Sequence, residues 1–337
     1  MRITILVSAA GRRNKLIACL RESAQRLGVE AVVLAADMNP SMSPACHCAD
    51  AAFAVPHCKS EAFLPAIKSI CKAQNVNLLI PTIDTELSAY AGEKAWFENN
   101  GTHLNISAPE VIDLARDKML FHRFLEQHNV PSPATGEAAG LTPQQLALLP
   151  WPCIFKPRDG SRSVGIVRAK SPDSVPDFAL TENYIWQECW RGKEFTVNFF
   201  TERGGRCRCV VPHERAEVRD GEVAKGITRR IAALEDAVRR MAEALPGAYG
   251  AQCAQAIVRG DGQFVLFELN ARFGGGYPLV DNAGAHFAQW LIEETLGLPS
   301  TVNNDWKENR VMLRYDDAIF IDADTNSKAP QGSATKV

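Results

Sequence analysis

The segment FELNARFGGG, residues 267–276, carries the densest chemistry in this 337-residue chain. Side chains two apart on a strand share a face, so Glu268 and Asn270 point the same way. The apolar run before them ends at a GDG turn, residues 260–262. A hairpin centred on Asp261 and Gly262 sets Gln255 opposite Glu268, and directly opposed residues have Cβ atoms about 5 Å apart. A turn centred one residue earlier puts Leu266 opposite Gln255 but keeps Gln255 on the face of Glu268. Three oxygen-bearing side chains then meet on one patch of an otherwise apolar strand pair. A lone buried glutamate is costly unless it is paired or binds a cation, and oxygen-only ligands suit Mg²⁺ shared with phosphates. Arg272, two positions on, is placed to neutralise a phosphoryl group in transfer. The competing reading is a solvent-exposed hairpin face, and the adjoining triplet Gly274–Gly276 weighs against it.

A second segment, FKPRDGSRSVGI at residues 155–166, carries Lys156 on a strand that breaks into a loop holding Gly160, Ser161, Ser163 and Gly165. Small residues leave backbone N–H groups open to phosphate oxygens, and the lysine supplies charge. The segment lacks the G-x-x-x-x-G-K spacing of a P-loop and leads into a strand instead of a helix. A plain β-hairpin with a glycine turn fits it as well. In WQECWRGKEFTV, residues 186–197, Glu188 and Glu194 bracket a turn at Gly192, which alone reads as a turn with solvated charges. At the N-terminus, VSAAGRRNK has one glycine, Gly11, where a dinucleotide-binding turn needs G-x-G-x-x-G. Asp37 does end the next strand as the expected acid would. A nicotinamide-dependent oxidoreductase is therefore a weaker alternative. The loop itself reads either as a simple strand-to-helix turn or as a site for a small anion.

These segments need elements to hold them. To about residue 110 the chain alternates strand and helix: ITILVSA, a helix from Arg12 to Leu27, AVVLAAD, a helix near Glu61–Ala73, NLLIPT, a helix from Glu86 to Phe97, and LNIS. Strands separated by helices imply a doubly wound α/β unit with a parallel sheet and right-handed crossovers. Two helical stretches, PEVIDLA and DKMLFHRFLEQH, follow and end at VPSPATG. Residues 151–220 read mostly as strands and turns. A helix then spans Leu234–Leu245, the strands AQCAQAIV and QFVLFEL follow, and a helix runs through HFAQWLIEETLG. The final dozen residues, NSKAPQGSATKV, are polar and read as disordered.

Composition narrows the class. Lys plus Arg number 37 against 39 Asp plus Glu, and the net charge of -2 disfavours a nucleic-acid or anionic-membrane partner. No apolar run approaches the ~20 residues that span a bilayer. The basic residues of MRITILVSAAGRRNK follow the apolar run, the reverse of a signal peptide, so a cytoplasmic location is expected. The ten cysteines are scattered, and several sit in apolar runs where they act as small hydrophobes. Cys46, His47, Cys48, His57 and Cys58 lack a second C-x-x-C knuckle, so reduced structural cysteines are expected in preference to zinc.

In their order and spacing, Asp117-Lys118, PCIFKPRDGSRSVGI, QECWRGKEFTV, Gln255 and ELNARFGGG resemble the ATP-grasp superfamily. They are most similar to the ATP-grasp module of the carbamoyl-phosphate synthase large chain and related single-unit ligases. The resemblance spans about residues 1–297. It implies an α/β and α+β architecture: an N-terminal doubly wound pre-ATP-grasp domain over 1–110, then an ATP-grasp fold over 111–300. The latter has a lid subdomain at about 130–192 and a C-terminal antiparallel-sheet subdomain, and 301–337 forms an extension. The implied activity is that of an ATP-dependent, ADP-forming carboxylate–amine ligase, in which a carboxylate becomes an acylphosphate and is captured by an amine. The implied cofactors are ATP and Mg²⁺, with Mn²⁺ as a substitute. The implied partners are small carboxylate and amine substrates, without nucleic acid or membrane, and a homodimer is allowed.

Site roles carry over position by position from the same resemblance. Lys118 and Lys156 contact the ATP phosphates or the adenine side, and the loop from Gly160 through Ser161 and Ser163 to Gly165 closes over the phosphates. Gln187 and Glu188 match the hinge that reads adenine, and Glu194 the residue that holds the ribose hydroxyls. Glu268 and Asn270 match the Mg²⁺ ligands with Gln255 as the third, and Arg272 the arginine beside the transferred phosphate. Outside these motifs, HERAEVRDGEVAKGITRR at 213–230 offers Arg215 and Lys225 to substrate charge, or is a solvated hairpin. Asp84 and Glu86, at the C-terminal end of a parallel strand, are candidates to receive the amine. With one unit and no glutaminase or biotin-carrier segment, a whole carbamoyl-phosphate synthase is not expected. A non-catalytic ATP-binding regulatory protein is the remaining alternative.

Overall fold

The computed structural model describes residues 1–159 and 164–322. In the first hundred residues, apolar runs of strand length alternate with helices that bury one side. Strand β1 (Arg2–Ser8) leads to α1 (Asn14–Arg26), β2 (Glu30–Asp37), the short α2 (Pro44–Cys48), β3 (Ala51–Ala54) and α3 (Phe63–Ala73). Then come β4 (Leu78–Pro81), α4 (Asp84–Ala91), α5 (Lys94–Asn99) and β5 (His103–Leu104). All pairings are parallel, in the order β3-β2-β1-β4-β5. Helices cover both faces, so central strands need no polar alternation, and Leu78, Leu79 and Ile80 are all fully buried. The helix expected over 86–97 is two helices, because the chain breaks at Gly92, a poor helix former. The sequence reading also misses α2 and β3, whose short, mostly exposed AAFA strand lacks an apolar signal.

Helices α6 (Pro109–Arg116) and α7 (Lys118–Gln127) link this unit to the rest. Asp117 sets where α7 begins: its carboxylate accepts from the N–H groups of Met119 and Leu120 at 2.9 and 3.1 Å. A small antiparallel sheet follows, formed by β6 (Thr135–Glu137), β7 (Cys153–Pro157), β8 (Val167–Ala169) and β9 (Tyr184–Glu188), with α8 (Pro143–Ala147) between β6 and β7. Its order is β6-β9-β7-β8, and it has a small core of its own around Leu146, Cys153 and Phe155.

The larger antiparallel sheet contains β10 (Lys193–Thr201), β11 (Cys207–Arg219) and β12 (Glu222–Thr228), then, after α9 (Ala232–Ala244), β13 (Gly250–Val258) and β14 (Phe264–Asn270). Helices α10 (Tyr277–Asn282) and α11 (Phe287–Leu296) precede β15 (Val311–Leu313), which completes the order β14-β13-β10-β11-β12-β15. The period-2 pattern of β10 sorts its side chains. Phe195, Val197 and Phe199 join Leu234, Val238 and Met241 of α9 in a buried core, each contributing roughly 1.5–3 kcal/mol by leaving water. Glu194, Thr196 and Asn198 occupy the opposite face. That polar face looks toward the small sheet: Lys156 Nζ on β7 stands 5.4 Å from the ring centre of Phe267 on β14. Among the described residues, no helix is long and apolar enough to cross a membrane.

Candidate active site

The β13–β14 hairpin places Gln255 directly opposite Glu268 and Cys253 opposite Asn270. Nearer the turn the register differs by one, with Ala256 opposite Leu266, so Phe267 is the extra residue of a bulge. The bulge brings Phe267 and Glu268 in succession to one lysine, the ring lying near Lys156 Nζ and the carboxylate attracting the same ammonium. Asn270 Nδ2 donates to Glu268 Oε1 at 3.3 Å, and Asn270 Oδ1 accepts from Arg272 Nη2 at 2.9 Å. One carboxylate and two side-chain amides fit a Mg²⁺ ion that keeps waters and shares phosphate oxygens, not an all-protein cage. Among the described residues, no three His, Cys, Asp or Glu side chains are grouped to hold a metal. Cys46 is buried, and Cys48 Sγ accepts from Asn14 Nδ2 at 3.3 Å.

Two lysines approach this floor. Lys156 is almost wholly buried, and its Nζ donates to Gln187 Oε1 at 2.8 Å, while Gln187 Nε2 donates to Thr135 Oγ1 at 2.9 Å. Burial pushes the Lys156 ammonium down to about 8, with Glu268 opposing the shift and Lys118 adding to it. Burial also lowers Lys118, the first residue of α7, against the pull of Glu268 and Asp159. Its Nζ donates to the carbonyl of Pro157 at 3.2 Å, and Asp117 accepts from Arg158 Nε at 2.7 Å. The Asp-Lys pair thus ties the start of α7 to the end of β7. Lys156 and Lys118 thus bring two ammonium groups to the side of Glu268, a concentration of positive charge that suits a polyphosphate.

The other expected nucleotide residues are placed as follows. The backbone N–H of Glu188, next to Gln187 on β9, donates to Ala134 O at 2.8 Å. Gly165 has φ +74°, and a Cβ there would lie 2.9 Å from the Tyr184 hydroxyl, so glycine is required. Gly160, Ser161 and Ser163 lie outside the described residues. Glu194 pairs with Arg215 Nε at 3.2 Å, and Arg215 also donates to Gly221 O at 2.9 Å. Lys225 is half exposed and spends its charge on Glu217 Oε2 at 2.6 Å; the structure does not bring it to the Lys156–Glu268–Arg272 group.

Arg272 is held from three sides. Its Nη2 and Nε donate to Asp84 Oδ2 at 2.7 and 3.2 Å, and its Nη1 to Phe273 O at 3.0 Å. Burial alone would lower its pKa, but Asp84 outweighs burial and holds it above the ordinary guanidinium value. Asp84 opens α4 at the C-terminal end of β4, so this pair joins the two large sheets. Glu86 does not share that role. It is turned inward, accepting from Ser8 Oγ at 2.7 Å and from the Thr82 N–H at 2.8 Å, and burial pushes its pKa up to about 7. Of the two acids expected to meet an amine, only Asp84 reaches the cluster.

Several residues that the motifs do not announce surround Arg272. Arg13, just before α1, has Nη1 3.5 Å from Glu222 Oε1 and donates from Nη2 to Thr82 O at 3.4 Å. Arg314, just after β15, approaches Glu222 Oε2 at 3.8 Å and hydrogen-bonds the carbonyl of Gly275. The glycine triplet permits this packing: a Cβ on Gly275 would overlap the Glu222 carboxylate, and one on Gly276 would meet His213 Nε2 at 2.5 Å. His213 is fully buried with Nδ1 3.0 Å from Asn198 Nδ2, and burial, then Arg215 and Arg314, hold its pKa down to about 3. Arg13 and Glu222 lie in segments whose charge was visible in the sequence, whereas Arg314 belongs to no motif. At the same end of the parallel sheet, the Gly11 N–H donates to Asp37 Oδ2 at 2.9 Å, so the acid that would read a dinucleotide ribose is engaged by its own loop.

Residues 5–105 match the PylC-like N-terminal domain, and residues 115–276 match the ATP-grasp domain. No curated protein matches the chain in sequence. Among solved structures, the biotin carboxylase–β-γ-ATP complex from Campylobacter jejuni superimposes with a TM-score of 0.72 at 16% identity, covering 91% of this chain and 74% of that one. The biotin carboxylase domain dimer of the Hydrogenobacter thermophilus 2-oxoglutarate carboxylase, complexed with MgADP and bicarbonate, gives 0.71 at 16%, over 91% and 73%. An L-amino acid ligase from Bacillus licheniformis gives 0.68 at 17%, over 92% and 78%. At such identities these neighbours speak for the fold. With both domain models matched in sequence, the chain carries a PylC-like N-terminal domain ahead of an ATP-grasp domain.

Proposed function

We propose that the protein joins a carboxylate to an amine at the expense of ATP. The observation that carries this reading is the convergence of Lys156, Lys118, Glu268, Asn270 and Arg272 on one polar floor, with Asp84 fixing the arginine. In the first step a substrate carboxylate oxygen attacks the γ-phosphorus, the bond to ADP breaks, and an acylphosphate forms. In the second, the amine attacks the acyl carbon, inorganic phosphate leaves, and the amine loses a proton.

The chain's own residues supply binding and charge. Lys156, oriented by Gln187, and Lys118 take the phosphates; Gln187 and Glu188 border the adenine, and Glu194, braced by Arg215, takes the ribose. Glu268 and Asn270, with Gln255 opposite, would hold Mg²⁺ or Mn²⁺, and the metal supplies charge neutralisation on the phosphate oxygens when bound. Arg272 is already pinned by Asp84 and Asn270, so it needs no reorganisation as charge develops on the transferred group. The small sheet, the lid expected over about 130–192, would close on this floor and keep water from the acylphosphate. Ten free cysteines suit a reducing, cytoplasmic setting.

The test is ADP release from Mg²⁺-ATP across a panel of amino acids and small carboxylic acids, with hydroxylamine as a trapping amine and Glu268→Ala as the control. Carboxylate-dependent ADP release, lost in the variant and accompanied by a hydroxamate, is the expected result. Release of AMP would overturn the acylphosphate step, and tight ATP binding without turnover would favour a regulatory binding protein.

A further inference from the structure

Beyond the nucleotide side, three guanidinium groups and two carboxylates meet where the parallel sheet, the β11–β12 hairpin and the C-terminal strand converge. Arg272 and Asp84 satisfy one another at 2.7 Å. Among the described residues, that leaves Glu222 as the carboxylate paired with Arg13 and Arg314, at 3.5 and 3.8 Å, both too long for charge-assisted hydrogen bonds. The cluster carries one positive charge in excess.

Both arginines are delivered by fixed backbone. Arg314 directly follows β15, which pairs with β12 through Val311–Ile227, Met312–Gly226 and Leu313–Lys225, and its own N–H donates to Ala224 O at 2.9 Å. Its side chain crosses to the Gly275 carbonyl, on the loop that also seats Glu222. Arg13 comes from the loop at the C-terminal end of β1, the edge where doubly wound sheets bind ligands. There Ala9 is held in the left-handed region at φ +49°, which is uncommon for a residue other than glycine. The side chains of Arg13, Glu222 and Arg314 are 18%, 34% and 38% exposed, so the group is drawn out of bulk water yet still reachable. Burial, and then the neighbouring arginines, lower the pKa of Arg13, as expected where like charges are crowded without enough counter-charge.

We infer that Arg13 and Arg314 clamp a carboxylate of the substrate between them, beside Glu222, and thereby select which acid the enzyme accepts. A carboxylate there would complete both guanidinium forks and cancel the excess charge. Arg314 lies beyond residue 276, where the ATP-grasp match ends, so one arm of the clamp comes from outside both matched segments, while Arg13 and Glu222 lie within them. The inference deepens the ligase reading and rests on it for the word substrate.

Binding is measured by thermal shift on the full chain without nucleotide, using the same panel of amino acids and mono- and dicarboxylic acids. At least one carboxylate stabilises the wild type, and Arg13→Ala and Arg314→Ala each raise its half-saturating concentration by about tenfold to a hundredfold. In ADP-release assays the same variants leave the KM for ATP within about twofold. Arg314→Lys restores only part of the affinity, because a point charge lacks the planar fork. Arg310→Ala, which removes a nearby arginine bonded to Asn282 Oδ1 at 2.5 Å, leaves carboxylate binding unchanged and controls for general damage to this strand. Glu222→Gln separates the two sources of a carboxylate: a plain acid binds more tightly, and an amino acid whose ammonium meets Glu222 binds more weakly. If no carboxylate stabilises the wild type, or both arginine-to-alanine variants respond as the wild type does, the inference is overturned. If carboxylates bind through both arginines but ADP is never released, the clamp stands and the ligase reading falls.

Discussion

The two flanks of Arg272 are built on opposite terms. Toward Lys156 the charges sit in a buried network with short hydrogen bonds, Lys156 to Gln187 at 2.8 Å and Arg272 to Asn270 at 2.9 Å. Toward Arg13 two guanidinium groups share one partly exposed carboxylate at looser distances. The first flank is organised before any ligand arrives, which suits a cosubstrate that never changes. The second is left electrostatically incomplete, which suits a ligand that must be chosen. On the proposed reading, a single fold holds its energy source rigidly while keeping its selectivity adjustable.

Removing Glu268 attacks the rigid flank at its centre. Glu268→Ala is expected to lower Mg²⁺-dependent ADP release by at least about a thousandfold, since it deletes the one carboxylate of the floor. A residual rate within about tenfold of wild type would break the division between flanks. Arg272→Ala should cost about a hundredfold to a thousandfold in kcat. It also strands Asp84, so the melting temperature falls; the double variant with Asp84→Ala recovers the melting temperature but not the rate, which separates chemistry from folding.

A smaller effect follows from pH. The folded-state pKa of Lys156 is depressed to about 8, so its ammonium is present below that pH and lost above it. In the free enzyme, kcat/KM for ATP should therefore fall about tenfold per pH unit above pH 8, and Lys156→Arg should abolish that limb. Half-saturation by the carboxylate should not follow the same curve, because no lysine belongs to the clamp, and a shared curve would erase the comparison. The smallest change is expected for Lys225→Ala. With its charge spent on Glu217 at the surface, kcat and both KM values should stay within about twofold of wild type.

How much of this was readable beforehand divides along the same line. The rigid flank is written in short segments, where a period of two places Glu268 and Asn270 on one face and the GDG turn carries Gln255 to meet them. Lys156 on its strand and Lys118 behind the capping Asp117 are equally local. The clamp draws on residues 13, 222 and 314, whose encounter depends on how the sheets pack, and no local pattern encodes that. The inward turn of Glu86 escaped for a related reason: its partner Ser8 belongs to a neighbouring strand. The bulge at Phe267 was invisible because either turn centre satisfies the apolar pattern.

Phe267 also makes this hairpin tolerant of a one-codon deletion. In a regular pleated strand the loss of one residue inverts every side chain beyond it. Here the turn-proximal pairing already runs one step out of phase, and Phe267 is the residue that takes up the difference. A gene lacking its codon would still set the glutamate opposite Gln255 and the asparagine opposite Cys253. What it would lose is the ring beside the buried ammonium. Length variation at this point of the gene therefore touches the surroundings of Lys156 while sparing the order of the proposed metal ligands.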